Sequence, residues 1–362
     1  MIVQADARHF PLKDKCVQTC VTSPPYWGLR DYGTATWDGG DAGCDHKVAS
    51  DPAKSQASSG LEGAKRNCGN ALSGYRDLCG KCGARRIDRQ IGLEATPDEY
   101  VATMVGVFKE IWRVLRDDGT VWLNLGDSYV HGVPGGGSVF ANGRNGSDGR
   151  KSYESDKPRG REKLSTLVKG LKVKDLCGIP WRVAFALQAD GWYLRSDIVW
   201  AKPNPMPESV TDRPTRSHEY IFLLSKNQRY FYDADAIREE HSREWWTETV
   251  GPKYMTATDG RNDGGKREGN GNPIGRNKRS VWTVNSEPTP EAHFATFPQK
   301  LILPCIRAGS RKGDLVLDPF LGSGTTGLVA QNEQRRWVGF ELNKSYINIV
   351  RKRTTSIFGG LV

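Results

Sequence analysis

Across its 362 residues the chain has no apolar run near the ~18 residues of a membrane-spanning helix, so a membrane protein is not expected. Its first residues, MIVQADARHFPLKDK, lack the apolar core of a secretory signal, which leads us to expect a cytoplasmic protein. Without an export signal, the eight cysteines are not expected to form a disulfide framework; four of them cluster between Cys44 and Cys82. Acidic residues are outnumbered, 42 against 52 Lys and Arg, giving a net charge of +10 and a pI of about 9.2. That balance points to a polyanionic partner, nucleic acid above all. Hydrophobic residues are 37% and mean hydropathy is −0.59, enough for one sizeable core but with generous polar loops.

What is present is an alternation of short β-like runs with helical patterns, which reads as a sheet covered by helices. Seven strands are expected: 2–5, 17–22, 121–125, 193–201, 219–224, 314–317 and 337–341. The clearest helix starts at Thr96, a capping residue followed by Pro97 and Glu99. Tyr100, Met104, Val107, Phe108, Ile111 and Leu115 repeat at helical spacing, and Asp117-Asp118-Gly119 is the expected stop near Arg116. Further helices are expected from Pro180, Pro298, Thr325 and Lys344. Three polar stretches interrupt this pattern: 43–83 with the cysteines, a basic loop at 132–174, and a Gly/Asn-rich segment at 235–290. From Arg144 to Lys174 there are ten Lys or Arg against four Asp or Glu. Loops of this length are usually functional or disordered.

Two motifs carry chemistry. Ser23-Pro24-Pro25-Tyr26-Trp27 directly follows an apolar strand. Each proline fixes φ and removes an N–H, so a rigid corner with outward-facing carbonyls and an aromatic plate is expected at the carboxyl edge of the sheet. Such a corner suits a planar substrate bearing an exocyclic amino group. The second motif, Leu315 to Gly327, runs from an apolar strand through Asp318-Pro319-Phe320-Leu321-Gly322-Ser323-Gly324 into a helix. Read alone, Gly322, Gly324 and Gly327 with Glu341 19 residues beyond Gly322 satisfy a dinucleotide fingerprint. About 20 residues follow Glu341, so no second mononucleotide half is expected.

The first motif resembles motif IV of the DNA amino-methyltransferases, and Asp318-Pro319-Phe320 with its glycines resembles their cofactor-binding motif. His293-Phe294-Ala295-Thr296-Phe297-Pro298 resembles their motif X. The order catalytic, target-recognising, cofactor-binding is that of the family's beta group. The resemblance implies an α/β fold with a mixed, mostly parallel open sheet and helices on both faces. It also implies S-adenosyl-L-methionine as cofactor, held by Asp6, Phe294, Ala295, Thr296, Asp318, Phe320, Gly322, Ser323, Gly324, Thr325 and Glu341. Ser23, Pro24, Pro25 and Tyr26 would be catalytic. Two acceptors, the Pro24 carbonyl and the Ser23 hydroxyl, would turn the amino lone pair toward the methyl donor, with Tyr26 stacked on a flipped base. Ser-Pro-Pro-Tyr is the commoner form among cytosine-N4 enzymes, so N4 of cytosine is expected, with N6 of adenine as the alternative.

Cys44-Asp45-His46 and Cys79-Gly80-Lys81-Cys82 give C-x-H and C-x-x-C pairs, which fit structural zinc through Cys44, His46, Cys79 and Cys82, with Cys68 a possible substitute ligand. Lys202 and Arg216 are expected near phosphates or the base pocket. Arg261, Lys266, Arg267, Arg276, Lys278 and Arg279 lie in a segment expected to recognise the target. The domain reading is a catalytic core at 1–43, 84–234 and 291–362, a zinc-binding insertion at 44–83 and a target recognition region at 235–290. Double-stranded DNA is the expected partner, with a cognate restriction endonuclease, in a prokaryotic or phage-encoded monomer or homodimer. The rival readings are a nicotinamide dehydrogenase resting on the glycine turn and a non-enzymatic zinc-containing DNA-binding module.

Overall fold

A computed structural model describes residues 1–28, 35–46, 79, 81–87, 90–130, 170–241, 275–287 and 297–355. Helix α1 (Pro97–Val114) forms as its cap dictates: the Thr96 hydroxyl accepts from the Glu99 amide at 3.2 Å, and Tyr100, Met104, Val107, Phe108 and Ile111 are all buried. Its end is earlier than the sequence suggests. Leu115 leaves the helix directly into a strand, Leu115–Leu125, and Asp117-Asp118-Gly119 lies inside that strand. Leu115 pairs with Val17 and Thr120 with Thr19, so the residues between them bulge out of the ladder.

The strands are β1 (Ile2–Val3), β2 (Val17–Thr22), β3 (Thr36–Asp38), β4 (Arg85–Ile87), β5 (Leu115–Leu125), β6 (Tyr193–Ala201), β7 (His218–Ser225), β8 (Val281–Thr283), β9 (Leu315–Asp318) and β10 (Arg336–Phe340). Helices α2 (Ile179–Ala189), α3 (Gln299–Gly309), α4 (Thr325–Asn332) and α5 (Lys344–Thr355), with a short 3-10 turn at Asp235–Ile237, complete the described elements. One sheet holds eight strands in the order β1-β10-β9-β2-β5-β7-β6-β8, and β3 pairs with β4 in a separate two-stranded ribbon. The pairs from β1 through β5, and β6 with β8, are parallel; β5 with β7 and β7 with β6 are antiparallel. The sheet is therefore mixed and mostly parallel, as expected, but has eight strands where seven were expected. The eighth, β8, is three residues long within a polar segment, too short to show an alternation; its middle residue, Trp282, is buried.

Alternation along β5 builds both faces. Val121, Leu123 and Leu125 join the core beneath α1 and α2, whereas Trp122 joins the core containing Leu301, Cys305 and Ile306 of α3 and Val329 of α4. Both faces being covered leaves the strand ends as the place for a ligand. No helix among the described residues is long and apolar enough to cross a membrane.

Candidate active site and metal cluster

Neighbouring strands β2 and β9 run parallel, with Thr19 opposite Val316 and Cys20 opposite Leu317. Their carboxyl ends therefore emerge side by side, although nearly 300 residues separate them in the chain. The Thr22 hydroxyl donates to Asp318 Oδ1 at 2.7 Å, joining the start of the diproline corner to the start of the glycine turn. The same Asp318 oxygen accepts the Phe320 amide at 3.0 Å. Burial raises the Asp318 carboxyl to about 6, against the opposing hydrogen bonds from Thr22, Thr326 and Phe320.

Glu341 lies just past β10. Its Oε2 accepts the Gly322 amide at 2.9 Å and its Oε1 the Asn343 amide at 2.8 Å, and burial raises its carboxyl above the usual range. The two nearby glycines serve different ends. Gly324, at φ +84°, could carry no side chain because a Cβ would lie 2.7 Å from Val350 Cγ1 of α5. Gly322, at φ +51°, faces open space, with no atom nearer a Cβ than Phe320 O at 3.9 Å. Arg353 of α5 donates to the Ser323 carbonyl at 2.7 Å and hydroxyl at 2.9 Å, bracing the turn from behind. Sequence patterning did not single out Arg353. An open glycine face beside a carboxylate with lone pairs to spare fits a cofactor bearing a ribose diol. Asp6 stands beyond β1, which stops at Val3, and is tied to Arg8 through 2.9 and 2.5 Å contacts. Phe294, Ala295 and Thr296 lie outside the described residues, as do Arg261, Lys266 and Arg267.

At the diproline corner Tyr100 of α1 donates to the Pro25 carbonyl at 3.0 Å, and no described residue donates to that of Pro24. Trp27, buried, donates from its indole to the Glu94 carbonyl at 2.8 Å. The Tyr26 hydroxyl is the hub of a polar cluster. It lies 3.3 Å from Ser23 Oγ, 2.7 Å from Asn124 Nδ2 and 2.7 Å from Glu219 Oε2. Asn124 Nδ2 also reaches Glu219 Oε2 at 2.8 Å, and Glu219 Oε1 is paired with Lys202. Burial, then the charge of Glu219, keep the Tyr26 phenol well above its ordinary pKa. Gly126 allows this approach, since a Cβ there would meet Tyr26 Cε2 at 2.5 Å.

Sequence reading placed Lys202 near phosphate or the base pocket; its ammonium sits on Glu219 and 4.2 Å over the Trp200 ring. It missed Glu219 as a partner of the tyrosine. The available signal was a lysine and a glutamate flanking the open ends of the two apolar strands of a hairpin. Asp127 caps α2, its Oδ1 accepting the Ile179 and Ser128 amides, each at 2.9 Å. The Arg216 Nε lies 3.5 Å from the His218 carbonyl. Arg276, Lys278 and Arg279 all converge on Glu239, at 3.3, 3.7 and 2.9 Å.

Cys44, His46, Cys79 and Cys82 come together at the outer end of the β3–β4 ribbon, their ligand atoms all within 4.8 Å of one another. Cys44 and Cys79 sulfurs are 3.8 Å apart, and Cys82 Sγ is 3.4 Å from His46 Nδ1. Cys68 lies outside the described residues.

The comparisons with known proteins agree with this edge. The profile of the N6/N4 DNA methylase family matches residues 17–352. The chain belongs to that family. A type II methyltransferase of Citrobacter freundii, M.Cfr9I, is 41% identical over 93% of this chain and 81% of its own length. M.SmaI of Serratia marcescens is 39% identical over 97% and 89%. Among solved structures, the PvuII cytosine-N4-specific DNA methyltransferase superposes with a TM-score of 0.53 at 17% identity, over 98% of this chain and 85% of that one. The methylase is therefore an S-adenosyl-L-methionine-dependent DNA amino-methyltransferase, and the glycine turn does not belong to a nicotinamide dehydrogenase.

Proposed function

We propose that the methylase modifies N4 of a cytosine extruded from double-stranded DNA, and that Cys44, His46, Cys79 and Cys82 hold a structural zinc ion. The amino-group chemistry rests on the acceptor pair at the diproline corner, a neutral Ser23 hydroxyl beside a Pro24 carbonyl that no described residue uses, and the choice of cytosine on the Ser-Pro-Pro-Tyr form of that corner. An exocyclic amino group has its lone pair delocalised into the ring. Two acceptors on its two N–H bonds rotate that lone pair out of conjugation and aim it across the sheet edge, and Tyr26 stacks on the base. S-adenosyl-L-methionine, when bound, supplies an electrophilic sulfonium methyl. Asp318, Phe320, Gly322, Ser323, Gly324, Thr325 and Glu341 would hold it, with Asp6 and residues 294–296. Most of the acceleration comes from orientation and fixed dipoles.

Extrusion of the base costs a few kcal/mol, which the basic stretches repay by gripping phosphates. In this reading 1–43, 84–234 and 291–362 form the catalytic core, 44–83 the zinc insertion and 235–290 the target recognition region, which also lends β8 to the sheet. The type II relatives support a cognate restriction endonuclease in a prokaryotic cytoplasm. Nucleoside mass spectrometry of DNA treated with the purified protein and S-adenosyl-L-methionine tests the assignment. N4-methyldeoxycytidine is expected; N6-methyldeoxyadenosine in its place overturns the choice of base.

For zinc, tetrahedral bonds of about 2.3 Å to sulfur and 2.0–2.1 Å to nitrogen imply edges of about 3.8 Å between sulfurs and about 3.6 Å between sulfur and nitrogen. The 3.8 and 3.4 Å separations suit those edges. Elemental analysis of the purified chain should find one zinc per molecule, lost in Cys79→Ser; a content far below one overturns the site.

A further inference from the structure

The polar cluster around Tyr26 carries a direction as well as a position. Glu219 is a carboxylate paired with an ammonium group, and a carboxylate only accepts. The Asn124 atom 2.8 Å from it must therefore be the amide nitrogen, because the reverse orientation would set two oxygens against each other. That orientation leaves Asn124 Oδ1 buried with no partner among the described residues, a cost which the bonds to Glu219 and Tyr26 outweigh. The same amide nitrogen donates to the Tyr26 oxygen at 2.7 Å. Tyr26 has one hydrogen, and Glu219 Oε2 at 2.7 Å takes it. What remains to the phenol oxygen is a lone pair, directed at Ser23 Oγ 3.3 Å away. Ser23 can meet it only as a donor.

We propose that Glu219 is a positioning residue which, through Tyr26, fixes the Ser23 hydroxyl as an acceptor toward the substrate. With its single hydrogen committed to Tyr26, Ser23 presents only lone pairs outward, the polarity that an amino N–H requires. Without Glu219 the Tyr26 hydrogen can turn to Ser23, whose own hydrogen then points at the amino group and opposes the reaction geometry. Lys202 and Asn124 hold Glu219 from its two oxygens, so the polarity is set from the sheet interior outward. This inference rests on the proposed role of Ser23 in methyl transfer.

The test is a double-mutant cycle on full-length protein with Glu219→Gln, Tyr26→Phe and the pair, measuring methyl incorporation into DNA and, separately, S-adenosyl-L-methionine binding by calorimetry. Glutamine can offer either its oxygen or its amide, and phenylalanine keeps the ring while removing the hydroxyl. Each single change should lower kcat about 10- to 100-fold, less than the roughly 10²- to 10³-fold cost of losing a fixed dipole at the reacting group itself, with cofactor Kd and DNA KM changed less than about threefold. The double variant should be no worse than the more severe single one, because Glu219 acts only through the phenol. Wild-type kcat in either single variant, or losses that multiply in the double, overturns the proposal. If Glu219→Gln does not fold, Tyr26→Phe decides alone: reduced kcat with intact cofactor binding supports it and wild-type kcat overturns it. A wild-type protein that methylates no amino group sinks the underlying role of Ser23, whereas an active wild type with unaffected variants sinks only the polarity.

Discussion

Two halves of one sheet edge are built on opposite principles. The glycine turn after β9 is held by side chains bonding to nearby backbone: Asp318 to the Phe320 amide, Glu341 to the Gly322 amide, Arg353 to the Ser323 carbonyl. At the diproline corner after β2, Tyr100 does reach the Pro25 carbonyl, but the reactive face around Ser23 and Tyr26 is set by side chains bonding to side chains from three other stretches: Asn124 at the end of β5, Lys202 past β6 and Glu219 in β7. A backbone-held turn binds a group common to many reactions and tolerates little change in shape. A side-chain cluster sets the direction of individual hydrogen bonds, which is where a choice of substrate resides. Thr22 and Asp318 are the joint between the two.

The largest separation of the halves should come from Ser23→Ala. In the proposed role of Ser23 it removes an acceptor at the reacting nitrogen and nothing from the glycine turn, so methyl transfer should fall about 10²- to 10³-fold while calorimetric cofactor affinity stays within about twofold. Equal loss of both would mean that the two halves are one site energetically.

A smaller effect distinguishes two functions within the turn itself. Gly324→Ala places a Cβ 2.7 Å from Val350 at a positive φ, and should destabilise the fold by about 2–4 kcal/mol through left-handed strain and overpacking. Gly322→Ala meets open space and should cost only about 1 kcal/mol in stability. It should nonetheless weaken cofactor binding more per unit of stability lost, since the added methyl occupies the face left open for the ligand. Thermal unfolding and calorimetry on both variants check the contrast; parallel losses in the two would erase it.

The same contrast explains what could be read from sequence. The glycine turn, the diproline corner and the cysteine pairs are contiguous, so their residues declare themselves by spacing, and seven strand positions followed from apolar runs. The Tyr26 cluster is assembled by strand register: Leu125 opposite Tyr220 and Trp200 opposite Glu219 bring Asn124, Glu219 and Lys202 together. No local pattern encodes that. Strand β8 escaped for a related reason, because three residues of polar context gain their strand character only from β6 beside them. Lys202 read as a contact to phosphate or the base pocket, with no sign of Glu219, since that partner lies 17 residues away across a hairpin. In α1 the expected stop at Asp117-Asp118-Gly119 failed because these turn-forming residues also suit a bulge.

A further small effect, visible only as a change with pH, concerns the joint. The Asp318 carboxyl, raised by burial to about 6, binds a proton in the folded state that the unfolded chain releases near its ordinary value of 3.8. Between those values the native state holds more protons than the unfolded one, so stability is fully present below about 4 and declines as pH rises through about 6. Asp127 and Glu341, also raised by burial, push the same way, whereas Glu110 beside Arg113 and Glu333 beside Arg307 are lowered and act at more acid pH. Asp318→Asn removes the titrating group yet keeps an oxygen to accept from Thr22 and Phe320. Its stability relative to wild type should therefore improve by about 1–2 kcal/mol on going from pH 4 to pH 7, a portion of the ~1.4 kcal/mol per pKa unit that linkage allows. Denaturant unfolding of both proteins at the two pH values measures it. A difference that does not change with pH would mean that the carboxylate at the joint is solvated, and that the two halves meet in a wet crevice rather than through a buried bond.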